Sequence, residues 1–116
     1  NYQMFDNITI DRFGRIILQE EVGGNNRLGR IYVYGIDSGK LQQVAVHNSK
    51  FFGGNAITNP NFLTNDEESS GIIDASHILG GGWYLMTVQN HRPSSDPELV
   101  EGGQLVGIYI NPAIGQ

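Results

Sequence analysis

Apolar residues in this chain come in runs of about six at most, each closed by Gly, Asn, Asp or Pro, which restricts it to short strands and tight turns. Long helices need an apolar stripe sustained over several turns, and none is present. Period-two segments fall at Asn7–Ile10, Arg15–Gln19, Gly29–Tyr34, Leu41–His47, Gly71–Ala75, Trp83–Gln89 and Gln104–Ile110. Asp11-Arg12-Phe13-Gly14 and Asp37-Ser38-Gly39-Lys40 carry the polar residues and late Gly of hairpin turns. Gly53–Asp66 and His91–Gly103, rich in Gly, Asn and Pro, read as long irregular connections.

The chain also repeats itself weakly, with a spacing of roughly 68 residues. Asn7–Ile10, a turn, Arg15–Gln19, a Gly-rich acidic loop and Arg30–Tyr34 are echoed by Gly71–Asp74, a Gly-rich turn, Trp83–Thr87, a Gly-rich acidic loop and Leu105–Tyr109. Each unit has the size of a small antiparallel sheet, which cannot bury both of its faces alone and packs on the next copy. The expected architecture is all-β: antiparallel sheets forming about two blades of a β-propeller, in units spanning about 5–50 and 68–112 of one fragment, residues 1–116. A self-contained seven-stranded sandwich is the competing architecture. The expected buried residues are Ile16, Leu18, Ile31, Val33, Ile73, Leu85, Val88 and Ile108.

Composition narrows the partners. A net charge of −5 with seven scattered Lys and Arg gives no footprint for nucleic acid or an anionic membrane surface. No stretch approaches the roughly 20 apolar residues of a membrane helix. The start, Asn1-Tyr2-Gln3-Met4, lacks a basic region and an apolar signal core, so the chain is expected to begin inside a larger protein or after processing. With no cysteine, thiolate metal sites, disulfides and a Cys nucleophile are excluded within these residues. The sequon Asn7-Ile8-Thr9 sits at a strand start, where glycosylation is disfavoured.

Chemistry concentrates in acidic segments. Thr64-Asn65-Asp66-Glu67-Glu68-Ser69-Ser70-Gly71 places three carboxylates in a row before Ile72, either as a solvated loop or as oxygen ligands for a hard cation. Glu20-Glu21 closes one strand, and Pro97–Gly103 forms a third acidic turn. His47, His77 and His91 show no paired spacing, which argues against zinc; His91, just past a strand, is the best placed for acid–base work or for facing a phosphate. Ser69 and Ser70 lack the G-x-S-x-G surroundings of a serine-hydrolase nucleophile.

Phe5–Ile16, Glu67–Ala75 and Glu98–Leu105 together resemble the last part of bacterial PhoX-type alkaline phosphatases and their phytase-like relatives, across nearly the whole chain. The resemblance implies a secreted β-propeller, extracellular or periplasmic, that hydrolyses phosphate esters with calcium and iron ions held by carboxylates in the central channel. By motif, Asp6 to Arg15 matches the D-N-x-x-x-D-x-x-G-x turn, Glu20 the acidic strand end, and Glu68 with Gly71 the E-x-x-G strand start. Glu20 and Glu68 are therefore the implied metal ligands, with Asp6, Glu21, Glu67 and His91 as substrate-facing or supporting residues. The chain departs from the phosphatases where they carry Cys-Glu-Asp, having Gln19-Glu20-Glu21, and its Glu67–Asp74 stretch is closer to the phytase-like branch.

Two functions follow. In one, the chain contributes carboxylate ligands to a metallophosphoesterase acting on small phosphate esters, completed by the remainder of the propeller. In the other, it is a non-catalytic scaffold assembling with other chains. Phosphate transfer needs convergent cations, and Arg12, Arg15, Arg27, Arg30 and Arg92 form no visible cluster in sequence, so the isolated chain favours the scaffold.

Overall fold

The structure, a computed structural model, describes residues 4–23 and 27–116. The protein is all-β. Strands β1 (Phe5–Ile10), β2 (Arg15–Glu20), β3 (Arg30–Gly35) and β4 (Leu41–Val46) form one antiparallel sheet in that order. Strands β5 (Glu67–Asp74), β6 (Trp83–Pro93) and β7 (Glu101–Tyr109) form a second antiparallel sheet of three. Two single-turn helices, α1 (Ser49–Phe52) and α2 (Ser76–Leu79), lie in the connections.

The β1–β2 hairpin shows how sequence sets register. Gly14 takes φ of +73°, a conformation that a Cβ disfavours, and Asp11 Oδ1 accepts from the amides of Phe13 and Arg15 at 2.9 and 3.0 Å. The turn therefore closes on the pair Ile10↔Ile16 and sets the β1–β2 pairs as far as Asn7↔Gln19, where a bulge shifts the register.

The hairpin of the second sheet closes in the same way. Asp11 N donates to Arg15 O at 3.0 Å, as Ala75 N does to Trp83 O at 2.9 Å. Ile36 N donates to Gly14 O at 3.1 Å, as Ile110 N does to Gly82 O at 2.9 Å. Through these bonds the row Thr9–Ile17–Val33 corresponds to Ile73–Leu85–Gly107, and Ile10–Ile16–Tyr34 corresponds to Asp74–Tyr84–Ile108. The repeat is thus a structural one.

Packing uses opposite faces of the two equivalent sheets. The first sheet turns Arg15, Ile17, Gln19, Ile31 and Val33 inward, against Ile72, Tyr84 and Met86 of the second. The residues equivalent to Arg15 and Ile17 are Trp83 and Leu85, which lie on the second sheet's outer face. Stacking is therefore head-to-tail, with an unlike face of each sheet at the seam. Burying each of these aliphatic side chains is worth roughly 1.5–3 kcal/mol.

This arrangement corrects the expected core. Ile31 and Val33 are buried, but Ile16, Leu18, Leu85, Val88 and Ile108 are only half-buried, and Ile73 is 54% exposed. Ile17, Ile72, Tyr84 and Met86 take the central places instead. Both faces of these strands are apolar, so alternation alone does not say which one is covered. Two boundaries also differ. β5 begins at Glu67, so the acidic run enters the strand, and β6 continues through His91 to Pro93. Its edge partner carries the chain back only at Glu101.

Candidate functional site: the carboxylate-bearing strand ends

The end of β2 and the start of β5 meet in an antiparallel bridge between Glu21 and Glu68, joining the two sheets at one end of the seam. Pleating sends alternate residues to opposite sides of a strand, and the local bulges modify this at the junction. The outcome is three buried carboxylates, Glu20, Glu67 and Glu68, beside exposed Glu21 and Asp6.

Each buried carboxylate has a different partner. Glu20 Oε1 accepts from Arg27 Nη2 at 2.5 Å. Glu68 Oε1 accepts from Asn7 Nδ2 at 3.4 Å, and its Oε2 lies 3.6 Å from His91 Nε2. Asn7 also accepts from Gly71 N at 3.2 Å through Oδ1, tying β1 to the positive-φ Gly71 of β5. Glu67 Oε1 accepts from Gly29 N at 3.0 Å and lies 3.4 Å from His47 Nδ1. Glu67 Oε2 is buried and has no hydrogen-bond partner among the described residues.

His91 is held between two acids, with Nδ1 2.7 Å from Glu101 Oε2 and Nε2 facing Glu68. Partial burial works against its charge, but Glu101 and Glu68, with Asp66 nearby, outweigh that and hold its pKa above the usual imidazole value. The raised pKa favours its charged form, which faces Glu101 of β7 and Glu68 of β5.

The sequence-predicted residues are therefore brought into one region in part. Glu20, Glu67, Glu68 and His91 lie at the joined strand ends, whereas Asp6 is exposed and touches only Asn7 Nδ2, at 3.4 Å, among the contacts resolved. Among the described residues no three His, Asp or Glu side chains converge in the manner of a metal site. Gly24, Asn25 and Asn26, in the loop following Glu20-Glu21, lie outside the described residues. Ser69 is buried with its Oγ unpartnered among them, and no base addresses it.

Arg27 pairs with Glu20 at the site, whereas Arg12 and Arg15 are committed elsewhere. Arg12 reaches Asp74 Oδ2 at 3.4 Å and His77 Nε2 at 3.1 Å. Arg15 is fully buried, with Nε on Asp11 Oδ2 at 2.7 Å, Nη1 on the carbonyls of Asn111 and Ile114, and Nη2 on Tyr84 Oη. The sequence pointed to Glu67 as a supporting residue but not to its pairing with His47, nor to this Asp11–Arg15–Tyr84 clamp. The D-x-x-G-R turn was the available signal for the clamp, because its Asp accepts turn amides and has a second oxygen left for the Arg that opens β2.

Comparison with protein-family models, with curated proteins and with solved structures gives no match. Among the described residues no helix is long and apolar enough to cross a membrane. What the fold defines is a class: an all-β protein of two packed antiparallel sheets, of four and three strands.

Proposed function

We propose that this chain supplies two adjacent blades of a β-propeller that holds a calcium ion, with iron as a second metal, at its carboxylate-bearing strand ends and hydrolyses small phosphate esters there. The observation that carries this reading is the burial of Glu20, Glu67 and Glu68 where the two sheets join, with Glu67 Oε2 left unpartnered among the described residues. A buried carboxylate is costly unless positive charge or donors offset it, and hard oxygen donors are what calcium selects. Glu20 and Glu68 would hold the metal, with Glu67, Glu21, Asp6 and His91 supporting them or facing substrate. The metal would polarise the phosphoryl oxygens, and His91, whose charged form is favoured by Glu101 and Glu68, would offset the charge of the bound ester.

Head-to-tail stacking supports the propeller. It leaves one unlike apolar face open at each end of the pair, as a stack of further equivalent sheets requires. The remainder of the propeller, from the same or other chains, would cover these faces and supply the phosphate-binding cations. An extracellular or periplasmic location goes with this reading.

A second reading is a non-catalytic scaffold, favoured by the basic partners that Glu20 and Glu68 already have in Arg27 and His91. Metal content after dialysis and hydrolysis of p-nitrophenyl phosphate separate the two. Retained metal and turnover, both reduced at least about tenfold in Glu68→Gln, support the hydrolase, since the amide keeps shape and loses the charge facing the cation. Absent metal and turnover, or a variant equal to wild type in both, leaves the scaffold.

A further inference from the structure

Strand β7 has a free edge where its counterpart in the first sheet has a partner. The bonds from Ile36 N to Gly14 O and from Ile110 N to Gly82 O make β7 the counterpart of β3, with Tyr109 matching Gly35 and Gly103 matching Gly29. β3 carries β4 on its far side, closed at the two ends by Gly35 N donating to Lys40 O and His47 N donating to Gly29 O, each at 2.9 Å. Among the described residues β7 pairs with β6 alone. The residues after β7 turn to the other sheet instead of back along it, since the carbonyls of Asn111 and Ile114 accept from Arg15 and that of Gly115 from Ser38.

This edge lacks the devices that keep edge strands from pairing with other chains. From Gly102 to Tyr109 it carries no charge and no proline. In an antiparallel ladder successive residues turn their backbone groups to opposite sides. Ile110 N points to the β6 side, so Gly103, Leu105, Gly107 and Tyr109 turn theirs outward, as Gly29 and Gly35 do toward β4.

A cleft of about 500 Å³ adjoins the same edge, with Val46, Phe51 and Phe52 on one side and Met86, Gly103 and Gln104 on the other. Val46 ends β4 opposite Arg30, and Gln104 is the residue that matches Arg30. The cleft therefore borders the stretch of β7 at which a strand placed like β4 would end. No Lys, Arg, Asp or Glu side chain lines it among the described residues, so it accepts apolar groups and disfavours ions.

We propose that the free edge of β7 takes up an extended, uncharged peptide segment, paired antiparallel as β4 is on β3, which turns the three-stranded sheet into a four-stranded one. The chemistry of the occupant is that of β4, Leu41-Gln42-Gln43-Val44-Ala45-Val46, which has no charge and packs Val44 and Ala45 against the core. Main-chain hydrogen bonds to the outward groups of β7 supply the attachment, and an apolar residue at the cleft supplies selectivity. No metal ligand takes part, so the inference stands whether or not the chain hydrolyses phosphate esters.

The probe is a synthetic peptide of residues 40–47, titrated into the full chain and followed by hydrogen exchange read by mass spectrometry. The expected result is saturable protection at Leu105, Gly107 and Tyr109, with exchange slowed at least about tenfold, the worth of one net hydrogen bond. The same peptide carrying Gln42→Pro lacks an N–H at the residue that pairs with Val33, and it should give no protection. Gly107→Pro in the protein removes an outward N–H while sparing the bonds to β6, and it should abolish protection at Leu105 and Tyr109. Unchanged exchange with the unmodified peptide, or equal protection by the Gln42→Pro peptide, would overturn the proposal. So would protection of these amides before any peptide is added, which would place a second copy of the chain on the edge. None of these three outcomes depends on a protein variant that folds.

Discussion

Arg15 Nη2 donates to Tyr84 Oη at 3.0 Å across the seam between the sheets, and Tyr84 Oη donates onward to Asp11 Oδ2 at 2.6 Å. Burial first, and then the bond to Asp11, drives the phenol pKa well above its usual value, so Tyr84 remains a donor throughout the working range. The same guanidinium holds the carbonyls of Asn111 and Ile114, so one buried ion pair fixes the β1–β2 turn, the facing sheet and the C-terminal segment together. A buried pair stabilises little in net terms, because desolvation offsets attraction, but removing one member leaves a bare charge. Asp11→Ala is therefore expected to cost about 3–5 kcal/mol. Tyr84→Phe, which leaves the pair intact and removes one hydroxyl, should cost about 1–2 kcal/mol. Urea denaturation gives both numbers, and equal losses in the two variants would show that the ion pair is not the centre of the clamp.

The close approach of Gly35 to the C-terminal segment makes a second prediction. A Cβ at Gly35 would lie 1.7 Å from Gly115 O and 2.5 Å from Ser38 Oγ, the atoms of the 2.7 Å bond that pins this segment. Backbone on both sides must move, so Gly35→Ala should destabilise by roughly 1–3 kcal/mol or more. Limited proteolysis should then cut first within 111–116, and a variant as resistant as wild type would count against the contact.

His91 gives a pH dependence with a definite sign. Its folded pKa lies above the unfolded value of about 6.5, so its stabilising contribution is complete below that pH and is lost as pH rises through the folded value. His91→Gln should remove this contribution. The gap in denaturation midpoint between wild type and variant is expected to be largest below the unfolded value of about 6.5 and to narrow as pH rises above it. A gap independent of pH would mean that His91 acts through packing alone.

How far the sequence disclosed this structure depended on how local the determining interaction is. The Asp11–Gly14 turn was legible because Asp11 and Gly14 act on backbone within four residues of themselves. The repeat was legible only in part: the bonds that close β1 on β2 recur between β5 and β6, but the third strands correspond one residue away from the sequence alignment and the second sheet has three strands. The choice of buried face was not. Ile16 and Ile17 are both Ile, and only the opposing Tyr84 and Met86 decide which is covered. Whether Glu67 belongs to a solvated loop or to a buried carboxylate group was open in the sequence for a similar reason, since its partners Gly29 and His47 come from outside its own sheet. Of the candidate site, the strand-end location of Glu20 and Glu68 was readable, while their counter-charges on Arg27 and His91 are tertiary facts.

The head-to-tail stacking predicts how the 116-residue chain associates. One open face carries Ile8 and Ile10, the latter 65% exposed, and the other carries Leu105, 73% exposed, with Trp83 and Tyr109. By the equivalence of the hairpins, the first open face matches the face that Tyr84 and Met86 present at the seam, and the second matches that of Arg15 and Ile17. Each open face therefore suits the unlike face of another copy and not its own kind. Ile10→Glu blocks one face and Leu105→Glu the other, in each case by placing a charge where apolar contact is required. Alone, each variant should sediment as a monomer at micromolar concentration, because its remaining face lacks a complement. Mixed in equal amounts, the two should form a one-to-one heterodimer through the two unblocked faces. Homodimers of either single variant would instead mean that like faces pair, and a wild-type chain that stays monomeric would mean that neither face binds another copy.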